Sequence, residues 1–356
     1  MAKKQPKIED LEQAVADSSA SSNMMPPADL SMGNALFNLA LSGNVSVGAG
    51  PGRYIHFAGS SSSGKSWLTI AMLAEAARNQ AYDNHKLVFI DNELGVGFSI
   101  EKYFGKRAAS RIESIRVNSL ERFYDKMTAL MKEGPVVAVL DSFDALTDEA
   151  ALKKIEEDTK ARDADKDPAG SYAMTHARVH SARLRELVRE LGASGSIFTG
   201  ISQERANVNG GMFEPKSIVS GGRALKYWAS IQVVTSLAGK IEKEIKGKKR
   251  LLGHKVRLKV EKNRISGKSR DVVLSFIPGF GFDEVGSIVD WLVEEKYLAA
   301  SSGRIITPWY EKAYYREELV KKIEEDDREA DLLELLQTSW TELESLVSVE
   351  RKPRYE

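Results

Sequence analysis

Residues 59–66 read GSSSSGKS and fit the phosphate-binding pattern G-x-x-x-x-G-K-S. Backbone N–H groups of such a loop, and of the helix that follows it, converge on phosphate oxygens. Lys65 would reach the β- and γ-phosphates of a nucleotide, and the Ser66 hydroxyl would help to hold Mg²⁺. The pattern therefore predicts a nucleotide site. Its candidate residues are Gly59, Ser60, Ser61, Ser62, Ser63, Gly64, Lys65, Ser66 and Trp67.

The residues on either side of this loop predict the elements that would position it. Residues 54–58 (YIHFA) are apolar and aromatic, as in a buried strand, and residues 67–77 are rich in strong helix formers. A strand, a glycine loop and a helix in this order give the pattern a mechanism. The alternative is a Ser/Gly linker that contains GKS by chance, and both flanks disfavour it.

Three polar residues follow apolar stretches that are predicted to be strands: Glu93, Asp141 and Gln203. Beside a phosphate loop, Glu93 could orient and activate the attacking water, and Asp141 could hold Mg²⁺. The amide of Gln203 could touch the γ-phosphate with one end and the following loop with the other. The alternatives are a carboxylate that caps the next turn and a glutamine that satisfies local backbone groups.

Composition excludes several classes of site. The chain has 356 residues, with 51 Lys and Arg balanced by 51 Asp and Glu, so any surface for a polyanion must be local. It has no cysteine, which excludes disulfides, zinc–thiolate sites and thiol nucleophiles and suits a reducing interior. No signal peptide and no run of eighteen apolar residues is visible. We therefore expect a cytoplasmic protein with no membrane partner.

Strand-like and helix-like stretches alternate from residue 30 to about residue 281, which predicts an α/β domain with a largely parallel sheet. The chain then divides into an N-terminal arm and linker (1–30), a core (31–281) and a small C-terminal domain (282–356) that carries an acidic segment. The predicted strands are 54–58, 86–90, 135–140, 196–201 and 230–235. The predicted helices include 8–15, 120–132, 173–191, 285–298 and 317–336.

Three further stretches carry no regular pattern or an unusual charge. Residues 149–170 and 204–223 resist a regular assignment, and long loops in a compact domain are usually functional or disordered. Residues 240–270 contain thirteen Lys and Arg and three acids. This basic stretch could bind nucleic-acid phosphates, supply cations to a neighbouring subunit's nucleotide, or form a solvated β-hairpin.

Taken in order, the segments GSSSSGKS, FIDNE, VVAVLDS, ISQER and SGGRALKYWAS (220–230) resemble the RecA family of strand-exchange recombinases. The segments VEKNRI (260–265) and GFDEVGSIVD (281–290) resemble that family as well, and the likeness spans residues 30 to 310. Residues 35–43 are similar to UvsX-type phage recombinases, whereas Gln203 and Lys226-Tyr227 are closer to bacterial RecA. The resemblance implies a RecA-like P-loop NTPase core with a mostly parallel central sheet, an N-terminal polymerisation arm and a small α+β C-terminal domain.

The resemblance also implies a function. Such a protein would be an ATP-dependent DNA recombinase that forms helical filaments on single-stranded DNA, pairs it with homologous duplex, and hydrolyses ATP in a DNA-stimulated reaction. ATP and Mg²⁺ would be its cofactors. Single- and double-stranded DNA and further copies of itself would be its partners, with single-strand-binding and loader proteins beside them. A hexameric helicase or motor with the same fold, and a regulatory recombinase paralogue that does not exchange strands, are the alternatives.

Site residues carry over by position within the matching segments. Glu93 matches the catalytic glutamate, Asp141 the Mg²⁺-linked aspartate, and Gln203 the γ-phosphate sensor that precedes the second DNA-binding loop. Lys262 and Arg264 match two cations that reach the adjacent subunit's nucleotide, and Lys226 and Tyr227 lie at that same interface. The first DNA-binding loop would fall within residues 153–175. The candidate DNA-contacting residues are Arg178, Arg205, Asn207, Asn209, Gly210, Gly211, Met212, Phe213, Gly221, Gly222 and Arg223.

The chain also departs from the family pattern. Seven acids lie between residues 149 and 167, and acids repel a phosphate backbone. Arg264 stands where bacterial RecA has lysine, which keeps the charge but changes its geometry. Residues 37–40 (FNLA) fit an F-x-x-A docking pattern, but we expect them to pack inside the core and place docking on residues 1–30.

Overall fold

The structure is a computed structural model in which the described residues are 29–93, 97–147, 149, 173–206, 217–219, 223–349 and 351. Several sequence-based predictions fall elsewhere in the chain. The arm up to residue 28 with its predicted helix, and residues 150–172 of the first loop region, lie outside the described residues. The same holds for Asn207, Asn209, Gly210, Gly211, Met212, Phe213, Gly221 and Gly222.

Ten of the described strands form one mixed sheet, in the order β10-β9-β8-β7-β1-β5-β4-β2-β3, with β6 paired to β5. The strands from β7 to β3 in this order run parallel, whereas β8, β9 and β10 continue the sheet antiparallel. The predicted α/β class with a mostly parallel sheet is confirmed. The strands are β1 Arg53–Gly59, β2 Lys86–Asp91, β3 Ile112–Ile115, β4 Val136–Asp141, β5 Ile197–Ala206, β6 Ser217–Val219, β7 Ile231–Ile245, β8 Lys248–Asn263, β9 Asp271–Ile277 and β10 Gly281–Asp283.

The helices cover both faces of this sheet, which explains why β1 and β4 are buried along their whole length. The helices are α1 Ala35–Ser42, α2 Lys65–Arg78, α3 Ile100–Arg111, α4 Leu120–Glu133, α5 Ala173–Ser194, α6 Arg223–Trp228, α7 Glu284–Glu294, α8 Arg316–Glu325 and α9 Glu329–Leu346. A second small sheet contains β11 Ala299–Ser301, β12 Arg304–Ile306 and β13 Tyr314–Tyr315. None of the described helices combines the length and apolar character needed to cross a membrane.

Two C-terminal helices are shorter than predicted. The helix predicted over 285–298 ends at Glu294, because Lys296 adopts a φ of 66°. The helix predicted over 317–336 is two helices, α8 and α9, because Asp327 adopts a φ of 52° between them. Left-handed backbone ends a right-handed helix, and neither position carries the glycine that would signal such a turn in a sequence.

Apolar residues from the whole described chain form the core. On one face of the sheet, Phe57 of β1 packs in a cluster that also contains Leu36, Ile288 and Trp340. Phe37 and Ala40 are buried in α1, so the predicted packing of FNLA inside the core is confirmed. On the other face, Tyr54 stacks on Phe198 in a second cluster. The division of the chain at residues 30 and 281 stays a prediction.

The C-terminal helix α9 is held against the start of the core by polar contacts. Gln337 Oε1 accepts a hydrogen bond from Val45 N at 3.0 Å, and Gln337 Nε2 donates to Gly43 O at 3.0 Å. Glu344 forms an ion pair with Arg270 near the turn between β8 and β9. These contacts join the last long helix to α1 and to the antiparallel part of the main sheet.

Candidate nucleotide site

The phosphate loop lies between β1 and α2, as the sequence predicts. Gly59 ends β1 with a φ of 150°, and Gly64 precedes α2 with a φ of 75°. A Cβ atom on Gly59 would lie 2.1 Å from the carbonyl oxygen of Thr235, and one on Gly64 would lie 2.7 Å from the ring of Phe282. Both positions therefore require glycine, for backbone conformation and for space.

Lys65 is the cation at the centre of the loop. Its side chain folds back so that Nζ donates to Ser60 O at 2.7 Å and to Gly59 O at 3.0 Å. Only 7% of the residue is exposed, and burial lowers the pKa of Lys65, while the nearby carboxylates of Asp141 and Glu93 oppose that shift. Main-chain carbonyls therefore accept hydrogen bonds from two of the three N–H groups of this ammonium group.

Ser66 and Asp141, the two residues predicted to hold Mg²⁺, lie in contact. Asp141 ends β4 beside Asp91 at the end of β2, and its carboxylate accepts a hydrogen bond from Ser66. Burial raises the pKa of Asp141 to about 6, a shift that the Ser66 hydroxyl opposes and that the negative charges of Glu93 and Asp91 increase. A hydroxyl and a carboxylate are hard oxygen ligands, so this pair fits Mg²⁺.

Glu93 and Gln203 contact each other across the cleft. Glu93 Oε1 accepts a hydrogen bond from Gln203 Nε2 at 3.0 Å and another from the hydroxyl of Ser142. The backbone N–H of Gln203 donates to Asp144 Oδ2 at 2.7 Å. The two predicted catalytic side chains are thus already within reach of each other, next to the end of β4.

The prediction that Gln203 ends its strand is wrong. Strand β5 continues to Ala206, because Glu204, Arg205 and Ala206 pair antiparallel with residues 217–219 of β6. The stretch 204–223, predicted to lack regular structure, therefore contains a two-stranded ladder at its base. Gln203 lies one residue before that ladder, so the strand that forms the cleft continues without interruption into the base of the predicted DNA-binding loop.

The cleft has a volume of about 470 Å³ and an aromatic wall. The ring of Trp67 lies 4.7 Å from that of Phe98, 4.9 Å from that of Tyr103 and 6.0 Å from that of Phe276, measured between centroids. Flat aromatic surfaces of this kind can stack on a nucleobase. The sequence placed Trp67 in the site but missed Phe98 and Tyr103, since nothing local marks these aromatic residues as lining residues.

Lys226, Tyr227, Lys262 and Arg264 lie away from this cleft. Lys262 pairs with Gln232, which pairs with His56, three residues before Gly59 along β1. Of the residues that the structure describes, none of these four lines the cleft beside Lys65. If these groups touch a nucleotide, it must be one bound by another subunit.

Lys262 is held by the end of a helix. Its Nζ donates to Tyr227 O at 2.6 Å and to Lys226 O at 3.2 Å, two main-chain carbonyls at the C-terminus of α6. Burial, together with the charges of Arg264 and Lys226, lowers the pKa of Lys262 to about 8. Lys226 pairs with Glu261 at 2.9 Å, and Tyr227 beside it is 68% exposed. The group therefore presents cations and an aromatic ring to solvent.

The structure gives backbone positions for three of the candidate DNA-contacting residues. Arg178 falls in α5, Arg205 in β5, and Arg223 begins α6. The basic stretch 240–270 is largely a β-hairpin of β7 and β8, whose outer part is exposed on both faces. This solvated geometry was one of the three alternatives, and the other two stay predictions.

Comparison with known proteins identifies the family to which this fold belongs. The family model described as the RecA N-terminal domain matches residues 21–283. The chain belongs to the RecA family. Protein RecA of Colwellia psychrerythraea strain 34H is 26% identical to it over 274 residues, which cover 75% of this chain and 71% of that protein. RecA-family proteins are DNA-dependent ATPases that use ATP and Mg²⁺ in DNA recombination and repair.

Proposed function

We propose that this protein is an ATP-dependent recombinase that polymerises on single-stranded DNA and exchanges strands with homologous duplex. The observation that carries the proposal is the convergence of Lys65, Asp141, Glu93 and Gln203 on one cleft. The continuation of β5 from Gln203 into the ladder with β6 gives that cleft a route to a DNA-binding loop. Membership of the RecA family makes recombination the function that this arrangement serves.

Hydrolysis follows from the positions of these groups. Lys65 donates to two loop carbonyls and has a third N–H for the β- and γ-phosphates, which are strong acceptors because they are charged. Ser66 and Asp141 would hold Mg²⁺, which would supply positive charge against the charge that develops on the phosphates. Glu93 orients the attacking water and accepts its proton, while the Ser142 hydroxyl fixes its carboxylate.

Gln203 links the nucleotide to the DNA-binding loop. One N–H of its amide donates to Glu93, which leaves the other for a γ-phosphate, so the glutamine can contact the catalytic carboxylate and the nucleotide together. Because Gln203 and Glu204 are neighbours in β5, a shift of the glutamine changes the ladder between β5 and β6. ATP occupancy and the shape of the loop are thereby coupled.

The cations at Lys262 and Arg264 complete the site of a neighbouring subunit. They lie outside their own cleft, and Lys262 is bonded to helix carbonyls that a triphosphate can replace. Cations supplied in this way stabilise the transition state of phosphoryl transfer. They also attract neighbouring subunits to each other, so the same residues would form the filament interface and complete the ATPase site.

Electron microscopy with a slowly hydrolysed ATP analogue, with and without single-stranded DNA, tests the proposal. We expect extended helical filaments that need both ligands, followed by exchange of strands in a joint-molecule assay with homologous duplex. Closed six-membered rings would refute the recombinase proposal and favour a helicase or motor. Small oligomers under every condition would indicate a regulatory paralogue. The UvsX-like features and the single-strand-binding and loader proteins stay predictions beyond this test.

A further inference from the structure

Thr235 contacts the phosphate loop from a neighbouring strand. It lies in β7, which pairs with β1 so that Thr235 stands opposite Gly59. The residue is fully buried, and the carbonyl oxygen of Thr235 accepts a hydrogen bond from Ser60 N at 3.3 Å. The loop therefore rests against β7 on one side, and no pattern in the sequence marks Thr235 as part of the site.

The hydroxyl of Thr235 belongs to a short chain of hydrogen bonds. Thr235 Oγ1 lies 2.6 Å from Ser63 Oγ, and Ser63 Oγ donates to Ser60 O at 2.7 Å. Because Ser63 has one hydroxyl proton and gives it to Ser60, Ser63 accepts its other bond from Thr235, whose second acceptor, Ala58 O, is much farther away at 3.4 Å. The direction of donation is then from Thr235 to Ser63 and from Ser63 to the carbonyl of Ser60.

The carbonyl of Ser60 has a second partner, the ammonium group of Lys65 at 2.7 Å. The ammonium group of Lys65 has three N–H donors and uses two of them on loop carbonyls, so Lys65 can bind phosphates either beside Ser60 O or in exchange for it. The hydroxyl of Ser63 then remains on Ser60, provided that Thr235 keeps it oriented. A loop carbonyl that turned inward instead would point a partial negative charge at the phosphates.

We propose that Thr235 is a positioning residue that acts through Ser63 on the carbonyl of Ser60 and so holds the phosphate loop in its binding shape when Lys65 binds the phosphates. The inference rests on the proposed ATP site and adds a residue to it. Thr235 touches no reacting atom and acts through Ser63 and Ser60. Its hydroxyl raises affinity for nucleotide and has little effect on the chemical step.

Three variants test this role. Thr235→Val keeps the shape and removes the hydroxyl, Thr235→Ser keeps the hydroxyl, and Thr199→Val is the matched control. Thr199 is equally buried in β5, the strand on the other side of β1, but its hydroxyl lies against Met72 Sδ at 3.6 Å. Each protein is measured for ATP affinity by calorimetry, for kcat and KM, and for melting temperature without nucleotide.

We expect Thr235→Val to weaken ATP binding and raise KM by about tenfold, since one oriented hydrogen bond is lost, with kcat changed by less than about twofold. Thr235→Ser should restore the affinity, and Thr199→Val should leave it unchanged at a similar loss of melting temperature. In the background of Ser63→Ala, the change at Thr235 should have no further effect on affinity, because the relay is already broken.

Two outcomes overturn the positioning role. One is unchanged affinity in Thr235→Val, and the other is an equal loss of affinity in Thr199→Val, which would indicate a general weakening of the sheet. A parent protein that binds no ATP would refute the proposed nucleotide site itself. That result is distinguishable, because it is obtained before any variant is compared.

Discussion

Lys65 and Lys262 are two lysines with similar local contacts and opposite surroundings. Each donates to two main-chain carbonyls, and burial lowers the pKa of each. Lys65 lies among carboxylates at the ends of parallel strands. Lys262 lies at the C-terminus of α6 beside two further cations, Arg264 and Lys226. The same side chain thus meets attraction in one place and repulsion in the other.

This difference in surrounding charge indicates which of the two sites is complete within one subunit. Around Lys65, the acids proposed to hold Mg²⁺ and to orient water are present, so under the proposed function we expect the subunit to bind a nucleotide alone. Around Lys262, like charges accumulate and are relieved when an anion approaches from outside. Under the proposed function that anion is the triphosphate of a neighbour. Four substitutions or conditions probe the contrast.

Replacing Lys65 should have the largest effect. Lys65→Ala removes the cation that reaches the phosphates, and we expect nucleotide affinity and ATP hydrolysis to fall by at least about 1000-fold, with loss of nucleotide-dependent DNA binding. Calorimetry and a phosphate-release assay measure these losses. Lys86→Ala, which changes an exposed lysine paired with Glu133, is the control and should leave both intact. Full ATP hydrolysis by Lys65→Ala would refute the assignment of the phosphate site to this loop.

Replacing Glu93 should separate binding from chemistry within the complete site. Glu93→Gln keeps the shape and removes the base, so we expect ATP and DNA binding to persist while hydrolysis falls roughly 1000-fold. Single-turnover kinetics check this, and Glu133→Gln on an exposed surface serves as the matched change. Rapid turnover in Glu93→Gln would exclude Glu93 as the catalytic base.

Replacing Lys262 and Arg264 together should affect only the assembled protein. We expect the double alanine variant to lose about 100-fold of its DNA-stimulated hydrolysis, because the neighbour's triphosphate loses two cations. ATP binding by isolated subunits should stay near normal. Lys321→Ala with Arg304→Ala removes two exposed cations elsewhere and controls for net charge. Unchanged stimulation in the first variant would refute the supply of cations between subunits.

The pH dependence should be the smallest effect and the most specific to Lys262. With a pKa of about 8, the lysine is charged below that pH and neutral above it. A neighbour's triphosphate favours the charged lysine, so DNA-stimulated hydrolysis should decline at a pH of about 8 or above, and Lys262→Arg should remove the decline, since arginine stays charged. Rates measured from pH 7 to 9.5 give the profile. An identical decline in Lys262→Arg would assign it to another group.

The same shift has a defined sign for folding. The pKa of Lys262 is lowered in the folded state from its ordinary 10.5, so the unfolded chain binds the proton more tightly. The contribution of Lys262 to the free energy of unfolding therefore increases as the pH rises from about 8 to 10.5. Activity and stability should respond in opposite directions over this interval.

The sequence predicted the cleft well because its signals are local. The glycines at 59 and 64, with Lys65 and Ser66 after them, follow from backbone and phosphate geometry. Asp141 and Glu93 could be located because each follows a strand in the α/β alternation. The contribution of other segments could not be predicted from local patterns. Thr235 reaches the phosphate loop through the order of the strands, and Phe98 and Tyr103 line the cleft through their packing on Trp67.

The predicted boundaries failed where a tertiary contact overrides local pattern. Strand β5 continues past Gln203 because residues 217–219 pair with it, and β7 extends to Ile245 because β8 folds back along it. The first partner is distant in sequence, whereas β7 and β8 form the hairpin that was one of the alternatives for residues 240–270. The predicted helix 285–298 ends early, before Lys296, and the predicted helix 317–336 is interrupted at Asp327, because both residues adopt left-handed backbone and neither is a glycine.

Strand β7 should show two different rates of amide hydrogen exchange along one continuous element. Residues 231–235 lie in the buried sheet, so their amides should exchange only through large openings of the core. Residues 240–245 pair only with β8 in a ribbon exposed on both faces, and their amides should exchange through local fraying. Slowed exchange confined to the ribbon would therefore report a bound partner without a label on the protein. Thr235 stands at the boundary between the two regimes, opposite the first glycine of the phosphate loop.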